Sequence, residues 1–123
     1  MKHIQHEGTE QIALFTWAEY YSGVHPELKL MYHIPNGGSR HPKEAANLKR
    51  QGVKAGVPDI CLPVARGDFH GLYIELKAGN NTTTDKQRKW LKDLKNQGYA
   101  TAVCYGWAKA SALIIKYLKE GQI

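Results

Sequence analysis

Residues 56–77 read Gly-Val-Pro-Asp-Ile-Cys-Leu-Pro-Val-Ala-Arg-Gly-Asp-Phe-His-Gly-Leu-Tyr-Ile-Glu-Leu-Lys, which is two short apolar runs separated by an Arg-Gly-Asp turn. Asp59, Glu75 and Lys77 stand in or beside these runs. Charged residues are unfavourable in buried strands unless a polar group or a metal ion compensates them. The stretch therefore predicts a pair of strands that carries a functional site.

Strand periodicity places two of the charged residues on the same face of a strand. Side chains two apart on a strand share a face, so Glu75 and Lys77 are neighbours on one face of their strand. Val57-Pro58 gives Asp59 a rigid, extended entry into the preceding strand. If the two runs pair as a hairpin through residues 66–68, Asp59 and Glu75 lie close together, although periodicity alone leaves the register open.

A divalent cation would fit between the two acids. Two carboxylates about 4 Å apart repel by roughly 4 kcal/mol at an effective dielectric constant of about 20, and Lys77 relieves only part of this repulsion. Mg²⁺ binds one or two carboxylates together with water and phosphate oxygens, and the backbone carbonyl of Leu76 could add a ligand. A metal ion, two acids and a lysine make a site for phosphodiester hydrolysis.

Either fragment alone has a commoner interpretation, because Glu-x-Lys is most often an exposed ion pair and Pro-Asp is most often a turn. Together, Pro58-Asp59 and Glu75-Leu76-Lys77 resemble the Pro-Asp, Asp/Glu-x-Lys signature of the restriction-endonuclease-like nucleases. The longer stretches 52–59 and 71–77 resemble the VRR-NUC branch, the virus-type replication-repair nucleases. The resemblance extends to residues 34–38, Gln87, Trp90 and residues 98–99.

This resemblance implies a DNA endonuclease that depends on Mg²⁺ or Mn²⁺. Asp59 and Glu75 would bind the metal ion, with the Leu76 carbonyl as a further ligand. Lys77 would assist the attacking water or the transition state. Gln87 would orient Lys77, the water or the phosphate in the active site.

The family also uses an acidic residue from its first helix. Glu10 is the best match, since Thr9 lies near the expected helix cap and Glu10 opens the helix. The alternatives are Glu7, which precedes the helix breaker Gly8, and Glu19, which lies farther along the same helix. The resemblance thus predicts a metal set of Glu10, Asp59 and Glu75.

Stand-alone members of this branch are small homodimers whose activity is similar to that of Holliday-junction resolvases. The resemblance therefore predicts a homodimer acting on a four-way DNA junction, because symmetric subunits can place two sites on two strands. Flap cleavage, nicking of other branched DNA and a less selective activity stay open. The alternative is a noncatalytic nucleic-acid-binding module, but a pure binder has no need of clustered acids facing a polyanion.

Net charge favours an anionic partner, since the chain carries +6 and has a pI near 9.3. The candidate nucleic-acid-binding residues are Asn36, Arg40, Lys43, Lys49, Arg50 and Lys54. A solvated helix face is their alternative interpretation. A second basic set surrounds its helix and is expected to solubilise it; the set comprises Lys86, Arg88, Lys89, Lys92 and Lys95.

A length of 123 residues suits one domain spanning residues 1–123. Apolar periodicity predicts helices at 9–21, 42–51, 84–97 and 108–118, and strands at 28–34, 59–64, 72–77 and 100–105. Trp90 and Leu94 are expected to join the core. This order predicts an α/β fold with a restriction-endonuclease-like core, a small mixed sheet flanked by helices in αβββαβ order.

Two cysteines outside any ligand motif favour a reducing compartment. The sequence contains no run of membrane-spanning length and no signal-peptide pattern. We therefore expect a location in the cytoplasm of a bacterial cell or a phage-infected host, with no membrane partner.

Overall fold

The structure is a computed structural model that describes residues 7–35 and 41–123. Helices and strands are interspersed along the chain, with the second and third strands consecutive. They are α1 (Glu7–Tyr21), a 3₁₀-helix (Pro26–Leu30), β1 (Tyr32–His33), α2 (Pro42–Arg50), β2 (Ile60–Leu62), β3 (Leu72–Lys77), α3 (Asp85–Asn96), β4 (Ala100–Tyr105) and α4 (Trp107–Glu120).

The four strands form one mixed sheet in the order β1-β2-β3-β4. β1 pairs with β2 and β2 with β3 in antiparallel fashion, whereas β3 and β4 run parallel. Cys61 lies opposite Tyr73 in the β2-β3 hairpin, which supplies the register that periodicity left open. The predicted α/β fold with a small mixed sheet is confirmed.

One face of the sheet carries the core. Leu72, Ile74 and Leu76 alternate along β3 and are almost completely buried, and they form a cluster with residues of α1 and α4. The Tyr117 hydroxyl of α4 donates a buried hydrogen bond of 2.6 Å to the Val64 carbonyl just after β2. Because α1 and α4 pack together beneath the hairpin, the first turn of α1 is held close to β3.

α3 packs against β4, but its apolar residues lie outside this core. Trp90 and Leu94 are half-buried, and none of the residues of α3 is fully buried. The expectation that they join the core is therefore wrong. Trp90 faces a shallow region between α2 and α3, which leaves its side chain partly open to solvent.

Two boundaries differ from expectation near the N-terminus. The strand expected at 28–34 is a 3₁₀-helix followed by a two-residue strand, because Pro26 at its start favours a helical turn and Leu28 is buried by it. α1 begins at Glu7 instead of residue 9. Gly8 is tolerated there, since the first-turn amides have no partner within the helix.

Helices of membrane-spanning length and apolarity are absent from the parts of the chain that the structure describes.

Candidate metal centre

Three carboxylates meet at one end of the central hairpin. Glu7, Asp59 and Glu75 each offer an oxygen, and these oxygens all lie within 4.8 Å of one another. Glu7 comes from the first turn of α1, Asp59 from the residue before β2, and Glu75 from the middle of β3. We call these three residues the acidic cluster.

Hydrogen bonds hold Asp59 in place on both sides. Its Oδ2 accepts the Leu76 N–H at 2.8 Å. Its backbone carbonyl accepts the Ile34 N–H at 2.7 Å and lies 2.9 Å from His33 Nδ1. Pro58, which precedes it, is fully buried. The carboxylate is therefore fixed by the strands on either side of it before any ligand binds.

Glu75 is buried with its charge only partly compensated. Its Oε2 lies 3.5 Å from Lys77 Nζ, and both side chains are hidden from solvent. Among the described residues, no hydrogen-bond partner reaches its Oε1, which is also buried. A buried carboxylate oxygen without a partner is costly. The acidic cluster therefore fits a hard divalent cation, for which carboxylate oxygens are suitable ligands.

Burial raises the pKa of Glu75 to about 8, and the neighbouring Asp59 carboxylate adds to the rise while Lys77 opposes it. Burial also raises the pKa of Asp59, against the hydrogen bond that the Leu76 N–H donates. Near neutral pH the two acids therefore retain a proton between them. A bound cation would displace this proton, because it favours the ionised carboxylates.

Glu10, the expected third acid, lies outside the acidic cluster. Its Oε1 accepts the Trp107 N–H at 2.9 Å, at the start of α4, where the helix dipole favours a negative charge. Gly106, with a φ of 90°, leaves room for this carboxylate, since a Cβ there would lie 3.1 Å from it. Because α1 begins two residues earlier than expected, Glu7 lies within the helix and takes the place beside Asp59.

Gln87 has a structural contact that the sequence did not predict. Its Oε1 accepts the Thr84 N–H at 2.9 Å, and its own N–H donates to Thr84 Oγ1 at 3.2 Å. These reciprocal bonds form a capping box at the start of α3. The active-site role of Gln87 and the ligand role of the Leu76 carbonyl stay predictions.

Asn81 is a site residue that the sequence did not reveal. It follows β3 in a turn where its N–H donates to the Ala78 carbonyl, and its Nδ2 donates to Glu7 Oε2 at 2.8 Å. The loop after β3 thus returns to α1 and orients its first acid. Residues 79–81, Gly-Asn-Asn, indicate a turn and nothing more.

The predicted nucleic-acid-binding residues fall into two groups. Asn36 and Arg40 lie outside the described residues. The other four, three lysines and one arginine, are exposed on α2 and the loop that follows it, namely Lys43, Lys49, Arg50 and Lys54. Their contact with DNA stays a prediction.

A mixed sheet whose central hairpin carries an acidic cluster beside a buried lysine defines a nuclease-fold domain of the restriction-endonuclease-like type. Comparison with known proteins narrows this class. The family model of the VRR-NUC domain matches residues 5–108, so the chain belongs to the VRR-NUC family.

A solved structure described as a VRR_NUC domain protein is similar to this chain over almost its whole length. The TM-score is 0.81 and the sequence identity 34%, with 99% of this chain and 94% of the other covered. No curated protein gives a match. The structural likeness supports the same family as the family model.

Proposed function

We propose that this protein is a metal-dependent, structure-selective DNA endonuclease that hydrolyses phosphodiester bonds. The observation that carries the proposal is the acidic cluster, in which Glu75 has one buried oxygen, Oε1, without a partner among the described residues, while its other oxygen lies beside Lys77. A stable protein without a ligand would have little use for this arrangement, because a buried acid that keeps a raised pKa lowers stability when it ionises. Membership of the VRR-NUC family supports the nuclease assignment.

In this proposal Glu7, Asp59 and Glu75 hold Mg²⁺ or Mn²⁺, and the Leu76 carbonyl is a further ligand. The ion, when bound, polarises the phosphate and lowers the pKa of a coordinated water. Lys77 places its ammonium next to the cluster and donates a hydrogen bond to a phosphate oxygen or to the attacking water. The oxygen of Gln87 caps α3, so its amide nitrogen is the group that we assign to the phosphate or water.

Family analogy and charge direct the choice of substrate. The net charge of +6 favours a polyanion. We propose branched DNA, with the four-way junction as the first substrate to test, and a homodimer that presents two sites to two strands. The corresponding location is the cytoplasm of a bacterial cell or a phage-infected host.

The test compares labelled four-way junction, flap, duplex and single-stranded DNA with Mg²⁺, Mn²⁺ or chelator. We expect cleavage with either metal, none with chelator, and a faster rate on branched DNA. Binding to all four substrates without cleavage in either metal would favour the noncatalytic module instead. Equal rates on duplex and junction would refute structure selectivity but leave the nuclease assignment intact.

Replacing Glu7 and Glu10 of α1 one at a time with glutamine tests the assignment of Glu7 as a metal ligand. We expect Glu7→Gln to weaken Mn²⁺ binding tenfold or more, because it removes one of three charged ligands. Glu10→Gln should leave Mn²⁺ affinity within about twofold but lower stability by about 1 kcal/mol, through the weakened bond to the Trp107 N–H. Calorimetric titration with Mn²⁺ and urea unfolding of both variants measure the two effects. The reverse pattern would restore Glu10 as the ligand.

Asn81→Ala tests whether the loop after β3 orients Glu7. Partners of a ligating group typically contribute 10- to 100-fold to metal affinity, so we expect about a tenfold loss of Mn²⁺ affinity. Asn80→Ala is the matched control, since it changes the neighbouring exposed residue. Equal Mn²⁺ affinity in the two variants would mean that the Asn81 contact has no part in metal binding.

A further inference from the structure

The fold brings together two basic surfaces that are distant in sequence. An open groove of about 660 Å³ runs between α2 and the first turns of α3, and we call it the α2–α3 groove. Its basic residues are Lys49 and Lys54 from one side and Lys86 and Lys89 from the other. Lysines expected only to solubilise α3 thus face the lysines expected to contact DNA.

The floor of the groove is apolar and aromatic. Leu48 and Val53 line it together with the indole of Trp90, and all three are half-buried. A purely solvated basic surface has no need of such a floor. An apolar floor with charged groups at the rim is the arrangement that binds a flat apolar ring carrying an anionic group.

The groove lies near the acidic cluster. A smaller recess, which Gly56, Thr84 and Gln87 help to line, shares Ala55 and Lys86 with it. Gly56, at a φ of 90°, packs against the backbone of α3 so closely that a Cβ would lie 2.8 Å from Lys86 Cβ. Since Ala55 is four residues from Asp59, their Cα atoms are at most about 14 Å apart. The groove and the acidic cluster are therefore within a few nucleotides of each other.

We infer that the α2–α3 groove binds an unpaired nucleotide of the DNA strand next to the cleavage site, with the base stacked on Trp90 and the phosphates held by Lys49, Lys54 and Lys86. This inference rests on the proposed nuclease function and specifies, among branched DNAs, those that carry an unpaired segment such as a flap. Lys89 contributes less net charge, because it pairs with Asp93 at 2.8 Å. A base that remains paired within a duplex presents no free face to the indole, so the groove distinguishes DNA with an unpaired segment, such as a flap or a frayed end, from fully paired DNA.

Binding in chelator, where no strand is cut, tests the inference with a flap DNA that carries 2-aminopurine in its unpaired segment and with the matching full duplex. We expect wild type to quench the 2-aminopurine fluorescence. Trp90→Leu should abolish this quenching and weaken flap binding about tenfold while duplex binding is unchanged. Trp90→Phe, which keeps an aromatic face, should restore both. Equal weakening of flap and duplex by Trp90→Leu would overturn the stacking role.

The lysines are tested by the salt dependence of flap binding. Lys49→Gln with Lys86→Gln should lower the slope of log K against log salt by roughly 1.5, because two phosphate contacts are lost. Lys92→Gln with Lys95→Gln removes the same charge from α3 outside the groove lining and should change the slope much less. Equal changes of the slope in the two double variants would mean that the groove lysines contribute only to the overall charge, and would overturn the inference.

These experiments also distinguish a failure of this inference from a failure of the proposed function. Wild type that cuts DNA, with groove variants that bind the flap as tightly as wild type, would overturn the groove assignment and leave the nuclease in place. Wild type that neither binds nor cuts any of these DNAs would overturn both.

Discussion

Glu75→Gln is expected to abolish metal-dependent cleavage and to stabilise the metal-free protein at alkaline pH. The substitution keeps the size of the side chain but removes the charge from a residue that is 1% exposed. Cleavage should fall by roughly 10²- to 10⁴-fold, the range expected when a catalytic acid or base is removed, because the metal loses its most buried ligand. Opposite effects on activity and stability would identify a residue retained for function.

The direction of the stability change follows from the pKa of Glu75. Because the folded pKa of about 8 exceeds the ordinary value of 4.5, the folded protein holds more protons than the unfolded chain between these values. In chelator, the contribution of Glu75 to the stability of wild type should therefore be greatest below pH 4.5. This contribution should be lost as the pH rises through 8. The loss is on the order of a few kcal/mol, since one pKa unit corresponds to about 1.4 kcal/mol.

Urea unfolding at pH 5 and pH 9, with chelator and with Mn²⁺, measures these effects. Glu75→Gln should lack most of the decline between the two pH values, whereas Mn²⁺ should stabilise wild type more at pH 9 than at pH 5, because the ion binds the ionised acids. Glu120→Gln makes the same chemical change at an exposed position and should match wild type. Wild-type cleavage by Glu75→Gln would refute the metal-ligand role.

Much of the sheet could be predicted because its sequence signals are local. β3 and β4 have the expected bounds, since β3 alternates apolar residues with Tyr73, Glu75 and Lys77, and β4 is a run of small apolar, β-branched and aromatic residues that Gly106 ends. Asp59 and Glu75 lie together as the hairpin interpretation expected, because the turn at residues 66–68 aligns the two runs. The prediction of a strand at 28–34 was wrong because Pro26 and the burial of Leu28 favour a helical turn over an extended run.

The third acid, its partner and the groove could not be predicted, because each depends on tertiary packing. Glu7 and Glu10 are one turn apart on the same side of α1, and the position of the helix over β3 decides which one reaches Asp59. Asn81 meets Glu7 across 74 residues of sequence. Trp90 has the spacing of a core residue, and only the packing of α3 against Gly56 shows that its indole lines a groove.

Lys77→Met is expected to separate metal binding from catalysis. The methionine side chain has a similar length and remains compatible with burial, but it removes the ammonium that lies 3.5 Å from Glu75 Oε2. Cleavage under single-turnover conditions should fall roughly 10²- to 10⁴-fold, since neither the water nor the phosphate then meets a proton donor or a positive side chain at this position. Mn²⁺ affinity at pH 9 should be retained, because the acids stay in place and a neighbouring positive charge has been removed.

The same variant should shift the pH dependence of Mn²⁺ binding. Lys77 lowers the pKa of Glu75, so its loss should raise that pKa and require a higher pH before the ion displaces the proton. Calorimetric titrations from pH 6 to pH 9 measure this shift, and Lys116→Met, at an exposed position on α4, should show none. If Lys77→Met shifts the Mn²⁺ binding profile but cuts DNA at the wild-type rate, Lys77 is a charge partner of Glu75 and has no part in catalysis.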